Sequence, residues 1–163
     1  PAIAYNLLKD ALGDELFKSA LQEYIYRWNG KHPIPYDFFF TFENVAEEDL
    51  SWFWQPWFFE NGYPDLGIKT VNQNNDKIEI IIEKNGKLPI PIQLTLISED
   101  DSSKDNSEEE IYKSIDVWKD ENQSEKIVHQ GMNKKLKKIL LGSPYIPDVN
   151  NKNNVYEVDI LTN

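Results

Sequence analysis

The chain has 163 residues, enough for one ordinary domain or two small ones. Its 40% hydrophobic and 28% charged residues lie in the globular range, and with no cysteine it can form no disulfide, thiolate nucleophile or cysteine-ligated metal site. A net charge of -11 argues against a nucleic-acid partner, which calls for clustered Lys and Arg, and no apolar run approaches the roughly 20 residues of a membrane span.

The sequence opens on Pro1 rather than Met, with an apolar helical pattern already under way, so a cut inside a longer protein is expected. No signal peptide is visible, and the compartment stays undetermined. Ile3, Leu7, Leu8, Ala11 and Leu12 repeat at helical spacing up to Gly13. A second helix places Leu16, Phe17, Ala20, Leu21, Tyr24, Ile25 and Trp28 on one face, with Glu15, Lys18, Gln22 and Glu23 opposite. Trp28, at the end of that face, is expected in the core. Gly30 is a plausible stop, and Pro35 can open a third helix, about Tyr36 to Val45. Asp49 should cap a fourth, about Leu50 to Asn61 and ended by Gly62, which Pro56 would kink or shorten.

From Leu66 the period changes to two. Ile78, Ile80 and Ile82 face one side, and Asn85-Gly86 predicts a hairpin turn into a returning strand with Leu88, Ile90, Ile92, Leu94 and Leu96. Pro89 and Pro91 remove two N–H groups on one edge, which predicts an edge strand there. Further strands are expected near 111–118, 125–129, 135–141 and 155–161. The fold class is therefore α+β, about four helices followed by a small antiparallel β-sandwich. Seventeen of the 21 aromatic residues precede residue 67, so the two halves should have different kinds of core.

Candidate sites are few. The two histidines, His32 and His129, show no HExxH spacing, and each is expected to be structural or solvated. Asp101, Ser103 and Asp105 faintly resemble a calcium loop, but Asn106 stands where that loop needs glycine and Tyr112 where it needs a bidentate glutamate, so a solvated hairpin tip is favoured. Glu47, Glu48 and Asp49 could hold a cation; a turn followed by a helix cap is the plainer reading. The clusters Phe38-Phe39-Phe40-Thr41-Phe42 and Trp52-Phe53-Trp54-Gln55-Pro56-Trp57-Phe58-Phe59 put rings all round their helices. Exposed tryptophans could form a sugar platform, but burial on several sides is preferred. An apolar patch on the fourth helix is expected, through which two copies could associate.

These elements together resemble a family. The ordered series Leu12-Gly13-Asp14-Glu15-Leu16-Phe17, Ala20-Leu21-Gln22-Glu23-Tyr24, Arg27-Trp28-Asn29-Gly30-Lys31-His32-Pro33 and Asp37-Phe38-Phe39 resembles the segment after the zinc-binding helices of aminopeptidase N-like (gluzincin) metallopeptidases. It continues through Phe42-Glu43-Asn44-Val45, Asp49-Leu50-Ser51-Trp52-Phe53 and Trp57-Phe58-Phe59 to Asn61-Gly62-Tyr63-Pro64-Asp65-Leu66. Gly86-Lys87-Leu88-Pro89-Ile90-Pro91 and Pro144-Tyr145-Ile146-Pro147-Asp148-Val149-Asn150 resemble the sandwich that follows in bacterial members. Ile34 and Pro56 are mild departures that touch capping and helix geometry, not chemistry.

The resemblance implies that residues 1–65 are the helical end of a peptidase catalytic domain and 66–163 a β-sandwich domain. It implies a parent enzyme that removes N-terminal residues from peptides with a zinc-activated water, the HExxH glutamate serving as base. HExxH, the downstream glutamate ligand and the GxMEN motif are absent here, and the family tyrosine would fall just upstream of Pro1. No catalytic, cofactor-binding or metal residue is therefore assigned to this chain, and zinc belongs to the parent. The expected partners are the upstream catalytic domain and, for the parent, peptide substrates. A bacterial cell envelope or periplasm would suit such a parent. The alternative is a non-enzymatic β-sandwich interaction module attached to an inactive peptidase-like domain.

Overall fold

A computed structural model describes residues 2–74, 76–99, 106–131 and 135–158. Helices come first: α1 Ala2–Leu12, α2 Asp14–Trp28, α3 Pro35–Ala46 and α4 Ser51–Trp54. Strands follow: β1 Leu66–Asn74, β2 Lys77–Lys84, β3 Ile92–Glu99, β4 Asn106–Lys113, β5 Ser124–Gln130, β6 Lys135–Leu141 and β7 Val155–Glu157. They form two antiparallel sheets, ordered β1-β2-β5 and β4-β3-β6-β7. The architecture is α+β, an N-terminal helical segment followed by a β-sandwich.

Local chemistry explains the helix ends. Gly13 adopts φ 78, a left-handed conformation that only glycine takes freely, and it separates α1 from α2. Pro35 starts α3, where its missing N–H costs nothing, and the Asp37 carboxylate accepts the Ile34 N–H at 2.8 Å. The N-cap of α4 is Leu50 rather than Asp49, and Asp49, one residue earlier, accepts the Ser51 N–H at 2.8 Å and so satisfies the first free donor of the helix. Hydrogen bonding to the Ser51 hydroxyl, and then to the Ser51 N–H, holds the Asp49 carboxyl below the usual carboxylate range. The sign follows from linkage: the stabilisation is present above the carboxylate's unfolded pKa and is lost as pH falls through the lower folded value. Asp49→Ala should cost about 1 kcal/mol at neutral pH. In urea melts at neutral and strongly acidic pH, the gap between the two proteins should close on the acid side.

The fourth helix is shorter than its sequence pattern. Regular α-helix ends at Trp54, and a single π-helical turn runs over Gln55–Phe59. Pro56 lacks an N–H, and its ring would strike the carbonyl one turn back. The chain widens instead, and the Glu60 N–H reaches the Gln55 carbonyl at 3.0 Å.

The sandwich core is built from alternation. Ile78, Ile80 and Ile82 of β2 and Ile92, Leu94 and Leu96 of β3 are fully buried between the sheets. β2 and β3 are not hairpin partners, however: β2 pairs with β1 and β5, and β3 with β4 and β6. The Asn85-Gly86 turn carries the chain from one sheet to the other. Both of its N–H groups are captured by the Asp65 carbonyl, at 2.8 and 2.9 Å. Nor is β3 an edge strand. Pro89 and Pro91 precede the ladder, which begins at Ile92. Their missing N–H groups therefore remove no ladder bond.

Three other expectations are corrected. The segment expected as a strand over 111–118 is the end of β4 and a 3₁₀ turn, Ile115–Trp118. Residues three apart eclipse in such a turn, and it is Ile115 and Trp118 that are buried. The strand expected over 155–161 is β7, and 159–161 lie outside the described residues. Trp28 is half-buried rather than core, with the Lys31 ammonium 5.6 Å from its ring centroid. Of the apolar face of α2 only Ala20 is buried, because α3 covers a narrower stripe than the sequence offers; Leu21 and Ile25 are exposed.

The helical segment packs on the sandwich, and buried residues of both belong to one apolar cluster. The Trp57 indole donates to the Pro89 carbonyl at 3.2 Å, and the Tyr112 hydroxyl donates to Asp10 on α1 at 2.6 Å.

Candidate functional site

Among the described residues the chemistry-bearing side chains do not assemble into one centre. His32 is exposed in the α2–α3 connection. His129 lies on β5, its Nε2 2.7 Å from the Glu109 carboxylate on β4, and this pair bridges the neighbouring edges of the two sheets. Among the described residues no three His, Asp or Glu side chains converge as a metal ion would require. Zinc needs three or four convergent ligands, and the described residues bring no such set together.

The acidic turn after α3 divides its tasks. Glu47 takes the left-handed conformation, φ 53, that ends the helix. Glu48 reaches Lys119 at 3.4 Å, and Asp49 accepts the first N–H of α4. Asp101, Ser103 and Asp105 lie outside the described residues. Asn106 and Tyr112 stand on β4.

The aromatic clusters build the helical core. Phe53 and Trp54 are buried, and Trp52, Trp57 and Phe58 are half-buried. Phe38 stacks on Phe42 with centroids 4.3 Å apart, and Phe39 meets Trp54 at 4.5 Å. The patch expected on the fourth helix is thus largely covered, by α3 and by the connection before β3. The open rings are Phe59, 45% exposed, with Tyr36 and Phe40 of α3, 48% and 62% exposed. Tyr36 stacks on both neighbours, at 5.5 Å from Phe59 and 6.1 Å from Phe40.

A cleft of about 860 Å³ runs along the boundary of helices and sandwich. Asp49, Trp52 and Gln55 line it from the helical side, and Lys84, Trp118 and Glu121 from the sandwich. Trp118 is buried and donates its indole N–H to the Ile90 carbonyl at 2.8 Å, so it is a fixed wall. Lys84 ends β2 with its Nζ 5.5 Å from the Trp118 centroid, a cation–π distance. Burial pushes the Lys84 ammonium pKa down, and Glu121 partly restores it. This cleft had no signature in the sequence. Lys84 reads as an ordinary strand end, and its neighbours across the cleft come from two distant segments, 48–60 and 118–123.

No family model matches the sequence, and no curated protein matches it. A solved structure of Legionella pneumophila aminopeptidase A, in complex with aspartic acid, is similar in fold. The TM-score is 0.61 at 20% identity, covering 86% of this chain and 16% of that one. The chain therefore has the fold of part of an aminopeptidase, and it spans about a sixth of that protein's length.

Proposed function

We propose that this chain is the C-terminal part of a zinc-dependent, aminopeptidase N-like enzyme that removes N-terminal residues from peptides. The helices close the catalytic domain, and the sandwich braces them. The observation that carries the reading is the backbone likeness to an aminopeptidase over 86% of this chain. The ordered motifs from Leu12 to Leu66 support it independently. The wall-and-brace role also suits the physical design. The helical segment is tied to the sandwich by Trp57 and Tyr112, while Leu21, Ile25, Tyr36 and Phe40 stay open on the helices. The zinc ligands and the groups that activate water lie in the rest of the protein, and this chain supplies shape and support.

The test compares the longer encoded protein with residues 1–163 alone on aminoacyl-anilide substrates. The longer protein should turn substrate over and lose that activity on removal of zinc, whereas this chain should show neither turnover nor stoichiometric zinc. A longer protein with an intact fold and no turnover would favour the interaction-module reading. Zinc-dependent turnover by this chain alone would place the active site within it and overturn the proposal.

A further inference from the structure

Asn-Gly occurs three times in the chain, at Asn29-Gly30, Asn61-Gly62 and Asn85-Gly86. Glycine carries no Cβ to shield its backbone nitrogen. That nitrogen can close a five-membered ring on the asparagine carboxamide carbon, provided that the backbone and the side chain are free to turn. The fold grants this freedom unequally. At Asn85-Gly86 both N–H groups donate to the Asp65 carbonyl, at 2.8 and 2.9 Å, and Gly86 is buried. The Asn85 carboxamide is also packed, its Nδ2 2.9 Å from where a Cβ on Gly67 would lie. Gly62 lies against the connection before β3, with its would-be Cβ 2.7 Å from Leu88 and 2.9 Å from Lys87. Asn29-Gly30 has no such restraint. Both residues are exposed just beyond α2, and among the described residues nothing lies within 4 Å of a Cβ on Gly30. Nor does the Gly30 N–H donate to a backbone carbonyl among them. The end of α2 is closed instead by Asn29 to Ile25 and by Lys31 to Trp28, each at 2.9 Å.

We propose that Asn29 is a site of spontaneous modification, converted in the folded protein to aspartate or isoaspartate with water as the only co-reactant. The Gly30 nitrogen gives its proton to solvent and attacks the Asn29 carboxamide carbon. A C–N bond forms there as the bond to the side-chain nitrogen breaks, and that nitrogen takes up a proton and leaves as ammonia. Water then opens the ring at one of its two carbonyls. Opening at the side-chain carbonyl restores the backbone and leaves aspartate. Opening at the backbone carbonyl leaves isoaspartate, whose main chain runs through the former side chain. Either product places a negative charge at the carbonyl end of α2, where the helix dipole is already negative. The modification therefore weakens the end of α2 and the connection to α3. It needs neither zinc nor a partner, so it stands apart from the peptidase reading.

Residues 1–163 would be held in mildly alkaline buffer, folded and, in parallel, unfolded in guanidinium. Peptide mapping by mass spectrometry would follow the three Asn-Gly sites, with aspartate and isoaspartate separated by chromatography. Unfolded, the three should react at similar rates. Folded, Asn29 should stay close to its unfolded rate, whereas Asn85 should slow by about tenfold or more, because its two bonds to Asp65 must open first. On native ion exchange, Asn29→Gln should remove the earliest acidic species to form. A folded chain in which Asn29 reacts no faster than Asn85 would overturn the proposal, a result that needs no variant to fold. So would an early acidic species that survives Asn29→Gln.

Discussion

Phe53→Ala should destabilise the chain by about 4 kcal/mol, the range for emptying a fully buried phenylalanine site. The ring is 0% exposed. Its neighbours are other rings: Trp54 at 5.2 Å, Trp52 at 5.8 Å, Trp57 at 6.2 Å and Phe58 at 6.5 Å between centroids. Large rings fixed by one another cannot collapse into the space a phenyl group leaves, so most of the cavity penalty remains. Trp57 is further anchored by its bond to the Pro89 carbonyl, so the cavity cannot close from that side without loosening the sandwich contact. Phe59→Ala provides the control, because that ring is 45% exposed at the end of the same turn and should cost about 1 kcal/mol or less. Urea melts followed by circular dichroism would measure both. A Phe53→Ala loss under about 1 kcal/mol would mean that the aromatic cluster repacks freely and is not the rigid core of the helical segment.

What could be read from the sequence were the features whose causes are local. Gly13, Pro35 and Asp49 act within a few residues of themselves, and each marks a helix end where its chemistry predicts. The alternation of Ile78, Ile80 and Ile82 marks a strand for the same reason. Where the cause lies far along the chain, local reading failed. Asn85-Gly86 carries a strong hairpin signal, yet the turn is captured by Asp65, and its strands enter different sheets. Pro89 and Pro91 signal an edge only for a ladder that includes them, and this one starts at Ile92. The apolar face of α2 is longer and wider than the α3 surface that meets it, so Trp28, Leu21 and Ile25 are less buried than their spacing implies. The candidate cleft is the extreme case. Lys84 becomes notable only when Trp118 and Glu121 are brought beside it, and no periodicity reports that.

Gly86→Ala should cost about 3 kcal/mol, for a reason separate from backbone conformation. A Cβ at this position would lie 2.2 Å from the Tyr63 carbonyl oxygen, 2.6 Å from the Asp65 nitrogen and 3.0 Å from the Pro64 carbonyl carbon. All three are backbone atoms, which cannot rotate aside as the end of a side chain would. To admit the methyl group, the segment over residues 63–65 must move away from the Asn85-Gly86 turn. That movement stretches the two bonds to the Asp65 carbonyl, now 2.8 and 2.9 Å. Overpacking costs about 1–3 kcal/mol, and each hydrogen bond contributes about 1 kcal/mol, so the sum exceeds what relaxation recovers. The strain falls where the helical segment passes into β1 at Leu66, and it would loosen the junction as well as the turn. Gly131→Ala separates sterics from conformation. That glycine has φ 87 and, among the described residues, no atom within 4 Å of its would-be Cβ, so alanine there should lose only about 1–2 kcal/mol from the left-handed backbone. Gly67→Ala should also be milder, since its closest contacts, 2.8 Å from Asn153 and 2.9 Å from Asn85, are side-chain amides that can turn away. Denaturant melts of the three variants should therefore rank Gly86→Ala as the most damaging. If Gly86→Ala proved no worse than Gly131→Ala, the close approach of the two segments would not be what holds this junction together.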